Sequence, residues 1–269
     1  MELGIAGRRA FVAGSSSGMG ADIARALGAE GVEVIVHGRN AAAAEAVAAD
    51  ICAGGGTAHI VLGNLGAPAD VDELAARALA VGPIDILINC QGSSHAPVDW
   101  FTGTVESWQY QYQMVLIYAL QLIKAFAPGM KERRWGRILN VSSLAAVKAL
   151  PNVADYSAAK LALHSLTATL VQDLGPAGIT CNVLMPGLYE SEAAREAFRK
   201  MTDEAGLYPT EEELIPVALK LIGSNIPLGR GGRGAEYAAT ACFLVSEPAA
   251  FINGATVRVD GGNTGSISI

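Results

Sequence analysis

Residues 9–37 read RAFVAGSSSGMGADIARALGAEGVEVIVH, and the order of patterns in this stretch decides the fold. Arg9-Ala-Phe-Val-Ala is a short apolar run of strand type. A glycine-rich turn follows, Gly14-Ser-Ser-Ser-Gly-Met-Gly. Ala21 to Glu30 has helical spacing, Gly31 is placed to end that helix, and Val32 to His37 reads as a second strand. Glycine at 14, 18 and 20 lets the backbone approach a pyrophosphate, and the N-terminus of the helix that follows favours its charge. A glycine cluster by itself is common in plain turns. Set between a strand and a helix, it points to dinucleotide binding.

The same alternation continues outward. Ala41 to Cys52 is an alanine-rich helix, Thr57 to Leu62 a strand, Asp70 to Ala80 a helix, and Ile84 to Cys90 a nearly continuous apolar strand of the kind buried on both faces. Gln91 to Thr104 is a loop. Trp108 to Ala127 is a long helix, Arg137 to Val141 a strand, and the helix carrying Tyr156 runs to Leu174, where Gly175-Pro176 stops it. Ile179 to Leu184 is a strand. An irregular, partly helical segment follows Pro186-Gly187 to about Ile226, then a helix from Glu236 to Val245 and a strand from Ala255 to Val259. Strand–helix alternation over the whole length, with no repeat and no linker, predicts one α/β domain over residues 1–269 with a mostly parallel sheet. Gly14, Asn89, Ser143 and Pro186 fall at predicted strand ends and should converge on the ligand-binding edge.

Composition narrows the function. The chain is 51% hydrophobic and 17% charged, which suits a large core and excludes disorder, and a net charge of −7 argues against nucleic acid as partner. Cys52, Cys90, Cys181 and Cys242 form no CxxC pair, so neither zinc nor a redox dithiol is expected. The N-terminus has no signal-peptide pattern, and Gln121 and Lys124 interrupt the apolar run from Met114 to Met130, so a cytoplasmic protein with no membrane partner is expected.

The chemistry centres on Asn140–Lys160, NVSSLAAVKALPNVADYSAAK. Tyr156 and Lys160 are four residues apart and share one face of a helix. Ser143 stands at a strand end. A phenol has a pKa of about 10, and a nearby cation favours its ionised form, so Lys160 is the expected partner of Tyr156. After the second strand, Gly38-Arg39-Asn40 lacks the carboxylate that would bind a ribose diol. Arg39 offers a fork for a 2′-phosphate, with Ser15 or Ser16 as the other candidates. Asn64 is placed to meet an adenine edge, and His37 is read as structural.

These motifs together resemble the single-domain branch of the short-chain dehydrogenase/reductase family over essentially the whole chain, in particular its 3-oxoacyl-carrier-protein reductases and carbonyl reductases. They are the glycine turn, Asn89-Cys-Gln-Gly, Ser143 with Tyr156-Ser-Ala-Ala-Lys160, Pro186-Gly187 and the closing Val259-Asp-Gly-Gly. The resemblance implies a doubly wound, seven-stranded Rossmann-type sheet and hydride transfer with NADP(H), with NAD(H) as the alternative. It implies Tyr156 as acid or base, Ser143 as the group that polarises the carbonyl, and Lys160 on the nicotinamide ribose, lowering the phenol's pKa. Carried over to this chain, the cofactor contacts fall at Gly14, Ser15, Ser16, Ser17, Gly18, Met19 and Gly20, then Gly38, Arg39 and Asn40, then Asn64 and Leu65. Asn89, Gln91 and Gly92 continue the set, with Tyr156, Lys160, Pro186, Gly187, Tyr189 and Ser191.

Departures stand beside the matches. Val115 occupies the place where the family has an asparagine whose backbone carbonyl anchors a proton-feeding water. Cys90-Gln91 replaces Asn-Ala, Asn64 replaces Asp, and Ser191 replaces Thr. The alternative function is therefore a catalytically weakened, NADP(H)-binding sensor or partner subunit. Leu188, Tyr189, Phe198, Met201, Leu207 and Tyr208 after Pro186, with His95, Trp100 and Phe101 in the Gln91 loop, suit a largely apolar ketone or secondary alcohol under a lid at about 188–226. His95, Leu188, Tyr189 and Ser143 are the expected substrate contacts. The resemblance also implies a homotetramer, or a homodimer, paired through the long helices.

Overall fold

The structure is a computed structural model that describes residues 1–92, 100–148, 150 and 153–265. Seven strands form one sheet in the order β3-β2-β1-β4-β5-β6-β7. They are β1 (Arg9–Ala13), β2 (Glu33–Gly38), β3 (Thr57–Leu62), β4 (Ile86–Asn89), β5 (Gly136–Val141), β6 (Ile179–Pro186) and β7 (Thr256–Val259). Every pairing is parallel, so the sheet is wholly rather than mostly parallel.

Alternation along each strand feeds two separate cores. Ala10, Val12, Val34, Val36, Ile86, Ile88 and Leu139 face one side, against α1 (Gly18–Ala29), α2 (Ala41–Ala53) and α9 (Gly234–Leu244). Phe11, Ala13, Ile35, Leu87 and Ile138 face the other, against α3 (Pro68–Val81), α5 (Tyr118–Arg133) and α6 (Ala154–Leu174). Each large apolar side chain fully buried this way contributes about 1.5–3 kcal/mol of transfer free energy. This two-sided burial is why β4 reads as a continuous apolar run.

The long helix differs from its sequence reading. It starts at α4 (Val105–Tyr112), where Thr104 accepts a capping bond from Ser107 N. It widens into a π-helical turn at Gln113–Ile117 and continues as α5 through Pro128 to Arg133. Proline should end it at Ala127, but burial of Ala127 and Met130 in the second core holds the last turn in place. Val105–Arg133 is long and apolar enough to cross a membrane, yet 56% of its most apolar window is buried inside the fold, as in a core helix. β4 begins at Ile86 rather than Ile84, because the Asp85 carboxylate is taken by Arg9 N and Arg133 Nε, both at 3.1 Å. Beyond β6, α7 (Glu192–Glu204) and α8 (Leu214–Leu221) pack a small cluster of their own.

Candidate active site

Between β1 and β4 the strand order reverses, and the crevice outside the carboxyl ends of the strands opens there. A cleft of about 420 Å³ occupies this point. One wall is the glycine turn. The chain leaves Ala13 through Gly14 at φ +74° and enters α1 at Gly18. A Cβ on Gly20 would strike the Gly14 carbonyl oxygen, so the turn closes onto the helix only with glycine there. Ser16, Ser17 and Met19 face the cleft. Ser15 does not. It is fully buried, donating to Val12 O at 2.7 Å and accepting from His37 N at 2.9 Å, and so braces the turn against β2.

His37 finishes that brace and also lines the cleft. Its Nδ1 accepts from Gly14 N at 3.0 Å, and burial pulls its pKa down to about 4, which keeps the ring a neutral acceptor. Gly38, Arg39 and Asn40 form the rim beyond it. Asn40 caps α2 by accepting from Ala43 N. Arg39 is exposed and has no ion pair or hydrogen bond among the described residues.

From β3, Gly63 and Leu65 line the cleft. Asn64 turns outward, donating to Asp70 and accepting from Gly66 N. From β4, Cys90, Gln91 and Gly92 line it. The Asn89 side chain lies inside the sheet, donating to Asn140 Oδ1 at 2.8 Å. Burial pushes the Cys90 thiol up to about 11, so it is not a thiolate nucleophile at neutral pH.

The candidate proton-transfer group sits at the end of β5. Ser143 starts a 3₁₀ turn, accepting from Ala145 N at 3.1 Å, and its hydroxyl is close enough to the Tyr156 phenol to act on its pKa. Lys160, one turn further along α6, is 2% exposed and donates to Val141 O at 2.7 Å. Burial lowers its pKa to about 8, against a smaller opposite effect of Cys90. Burial also raises the Tyr156 phenol, more than the neighbouring Ser143 hydroxyl lowers it. So the structure brings the three residues together, and burial rather than the Lys160 charge sets the phenol's direction.

A buried polar chain fixes α6 in this register. Asn89 donates to Asn140, Asn140 Nδ2 donates to Thr167 Oγ1 at 2.9 Å, and Thr167 donates to Leu163 O at 2.8 Å. Sequence reasoning missed Asn140 and Thr167 in this role. It also missed Tyr118, whose fully buried hydroxyl accepts from Gln91 N at 3.3 Å and so fixes the β4 loop. The available signal was a polar side chain inside an apolar run, at Asn140 and Thr167. Val115 is fully buried within the π-helical turn.

Beyond β6, Gly187 N donates to Val259 O, which ties Pro186-Gly187 to β7. Leu188 and Phe198 pack into the small cluster with Ile215, Leu219 and Ile226. The Tyr189 hydroxyl donates to Asp22. Ser191 caps α7 by accepting from Ala194 N. His95 lies outside the described residues. The assembled parts are a backbone cradle at a helix N-terminus, a free guanidinium on its rim, and a hydroxyl–phenol–ammonium group on the neighbouring strand. Together they can hold an anionic dinucleotide and move a proton beside it.

Comparison with known proteins agrees. A family model described as enoyl-(acyl carrier protein) reductase matches residues 13–264. The chain is 34% identical to a 3-oxoacyl-[acyl-carrier-protein] reductase of Synechocystis sp. over 256 residues, covering 94% of this chain and 95% of that protein. It is 32% identical to gluconate 5-dehydrogenase of Gluconobacter oxydans over 265 residues, covering 98% and 97%. The crystal structure of L-sorbose reductase from Gluconobacter frateurii, complexed with NADPH and L-sorbose, superposes with a TM-score of 0.91 at 26% identity over 99% of this chain and 100% of the other. The chain belongs to the short-chain dehydrogenase/reductase family of oxidoreductases.

Proposed function

We propose that this chain is an NADP(H)-dependent oxidoreductase that exchanges a hydride between the nicotinamide and a ketone or its secondary alcohol, with Tyr156 as acid and base. The observation that carries the reading is the convergence of the Ser143 hydroxyl, the Tyr156 phenol and the buried Lys160 at the end of the strand next to the dinucleotide cleft. The residues fit the cofactor. The Gly14–Gly20 turn leaves room for a pyrophosphate at the start of α1, and Arg39 is free to fork a 2′-phosphate where no carboxylate follows β2. L-sorbose reductase, similar over the whole length, was solved with NADPH. NAD(H) is the weaker alternative.

Bound here, the nicotinamide supplies the hydride. Ser143 donates to the carbonyl oxygen and holds it. Tyr156 gives its proton to that oxygen as negative charge develops, and Lys160 stabilises the phenolate left behind. One hydride, which a bound dinucleotide would supply, and the Tyr156 proton together turn the ketone into the alcohol. In the reverse direction Tyr156 accepts the proton.

Leu188 and Phe198 belong to the core of the lid, so support for a largely apolar carbonyl rests on Trp100 and Phe101, 71% and 81% exposed in the loop after β4. The apolar groove formed by Val105, Trp108, Tyr112 and Ile117 supports pairing of subunits through this helix, as a homotetramer or homodimer.

The test is a panel of ketones and secondary alcohols followed at the nicotinamide absorbance, with Tyr156→Phe as control. Turnover by the parent, and its loss by at least about 100-fold in the variant with NADPH affinity retained, is the expected outcome. NADPH binding with no turnover on any member of the panel would overturn it in favour of a sensor.

A further inference from the structure

Tyr189 makes a contact that neither the cofactor cradle nor the proton-transfer group explains. Its hydroxyl donates to Asp22 Oδ2 at 2.7 Å, across 167 residues of sequence. Asp22 lies on α1 just past the glycine turn. Gly234, the first residue of α9, has its missing Cβ position filled by the same carboxylate oxygen. A side chain there would displace this carboxylate, so the glycine lets Asp22 reach the N-terminal end of α9, where backbone N–H groups and the helix dipole favour a negative charge. The other oxygen, Asp22 Oδ1, forms an exposed ion pair with Arg25 Nη1 at 3.5 Å, which leaves Oδ2 for the Tyr189 phenol. The carboxylate is therefore directed into a notch between α1 and α9, and the phenol of Tyr189 closes that notch.

The rest of Tyr189 is held just as closely. Its ring lies edge-on to Tyr237, with centroids 5.9 Å apart. Its backbone pairs with Gly232, through Gly232 N to Leu188 O at 2.8 Å and Glu190 N to Gly232 O at 3.0 Å. The Tyr237 hydroxyl donates to the same Leu188 carbonyl at 2.9 Å. On its open side the Tyr189 ring covers the turn, since a Cβ placed on Gly18 would lie 3.9 Å from Tyr189 Cε1. The segment leaving β6 thus comes alongside the start of α1 and fastens to the helix whose N-terminus is the anion cradle.

We propose that Tyr189, fastened by Asp22, is a positioning residue that straps the segment after β6 over the glycine turn and retains the dinucleotide. The inference rests on the cofactor reading above and adds to it the residue pair that sets how long the dinucleotide stays. Burial and the Asp22 carboxylate both raise the phenol's pKa, so it remains a donor throughout the working pH range.

The test is the NADPH dissociation rate, measured by chasing bound NADPH with excess NADP⁺ in a stopped-flow fluorimeter. Tyr189→Phe removes one oxygen and should speed release about tenfold, with little change in the association rate. Asp22→Ala should do the same, the double variant should be no faster than either, and Asp22→Asn, which keeps an acceptor oxygen, should lose less than Asp22→Ala. Melting temperatures identify folded variants, and either side of the bond serves if the other fails to fold. Amide exchange in the cofactor-free protein gives a second readout, faster at residues 189–191 in Tyr189→Phe. Release within twofold of the parent, or additive effects of the two single changes, overturns the strap and leaves the cofactor reading standing. A parent that binds neither NADPH nor NADH overturns the cofactor reading itself.

Discussion

The Lys160 ammonium lies 5.6 Å from the centre of the Tyr156 ring and gives one proton to the Val141 carbonyl at 2.7 Å. That contact is a hydrogen bond donated by the ammonium, so the backbone of β5 holds the cation beside the phenol, almost sealed from solvent. Its environment makes it the titrating member of the pair near neutral pH.

That assignment fixes a pH profile. Lys160, with its pKa drawn down to about 8, is charged below that pH and neutral above it, while the raised Tyr156 phenol keeps its proton through the same range. For carbonyl reduction, kcat/KM should be level from about pH 6 to 7.5 and fall as pH rises through about 8, because that ratio reports the free enzyme. Lys160→Arg, which stays charged, should move the fall to higher pH. A profile flat to pH 10 in the parent would remove Lys160 from the mechanism.

Arg39 should decide cofactor choice. It lines the rim of the cleft and has no protein partner among the described residues. Arg39→Ala should weaken NADPH about 10- to 100-fold, the range of a charge-assisted contact, and leave NADH almost unchanged. Titration of nicotinamide fluorescence with both cofactors measures the ratio. Equal loss for both would mean that the 2′-phosphate is read elsewhere.

Val115 is fully buried inside the π-helical turn that joins α4 to α5. Val115→Asn places an amide there without a prepared partner and should cost about 1–3 kcal/mol of stability. It also restores the side chain that the family has at this place, so turnover should rise if proton resupply limits the parent. Melting temperature and kcat in H₂O and D₂O separate the two effects. A lower melting temperature with unchanged kcat and isotope effect would show that the valine costs the reaction nothing.

His37 should make the fold acid-sensitive. The folded state keeps the ring neutral down to about pH 4, whereas an unfolded histidine protonates near pH 6.5. Between these values the unfolded chain binds the extra proton. The stabilisation is therefore complete above pH 6.5 and is lost as pH falls toward 4, by about 3 kcal/mol in all. His37→Asn should flatten this part of the stability curve. It should also lower stability at pH 7, by removing the ring packed 5.6 Å from Phe11. An unaltered slope in the variant would place the acid sensitivity in another group.

The sheet was readable because its order depends on local patterns. Alternation in Ala10–Ala13 and the apolar run of Ile86–Asn89 mark two-sided burial, and glycine at 14, 18 and 20 marks the turn. Ser143, Tyr156 and Lys160 were legible through strand end and helical spacing. What escaped was decided by partners far along the chain. The Asn89 side chain donates to Asn140, 51 residues on, a partner that no local pattern around Asn89 announces. Asn64 likewise pairs with Asp70, a contact that its place after β3 does not announce. No local pattern carries the helix past Pro128 or opens a π-helical turn at Gln113–Ile117; packing against the second core is a tertiary effect.

An all-parallel sheet also determines how this protein comes into being. None of its strand pairs can form across a tight turn. The clasp between Arg9 and Glu33 closes a separation of 24 residues, and that between Arg9 and Asp85 closes one of 76. Chain entropy must be lost before such contacts return any stability, so folding should be slow for a chain of this size. The walls of the dinucleotide cleft all lie before residue 115, while Ser143, Tyr156 and Lys160 follow later in the chain. During synthesis from the N-terminus, the pocket for the cofactor leaves the ribosome before the residues that would use it.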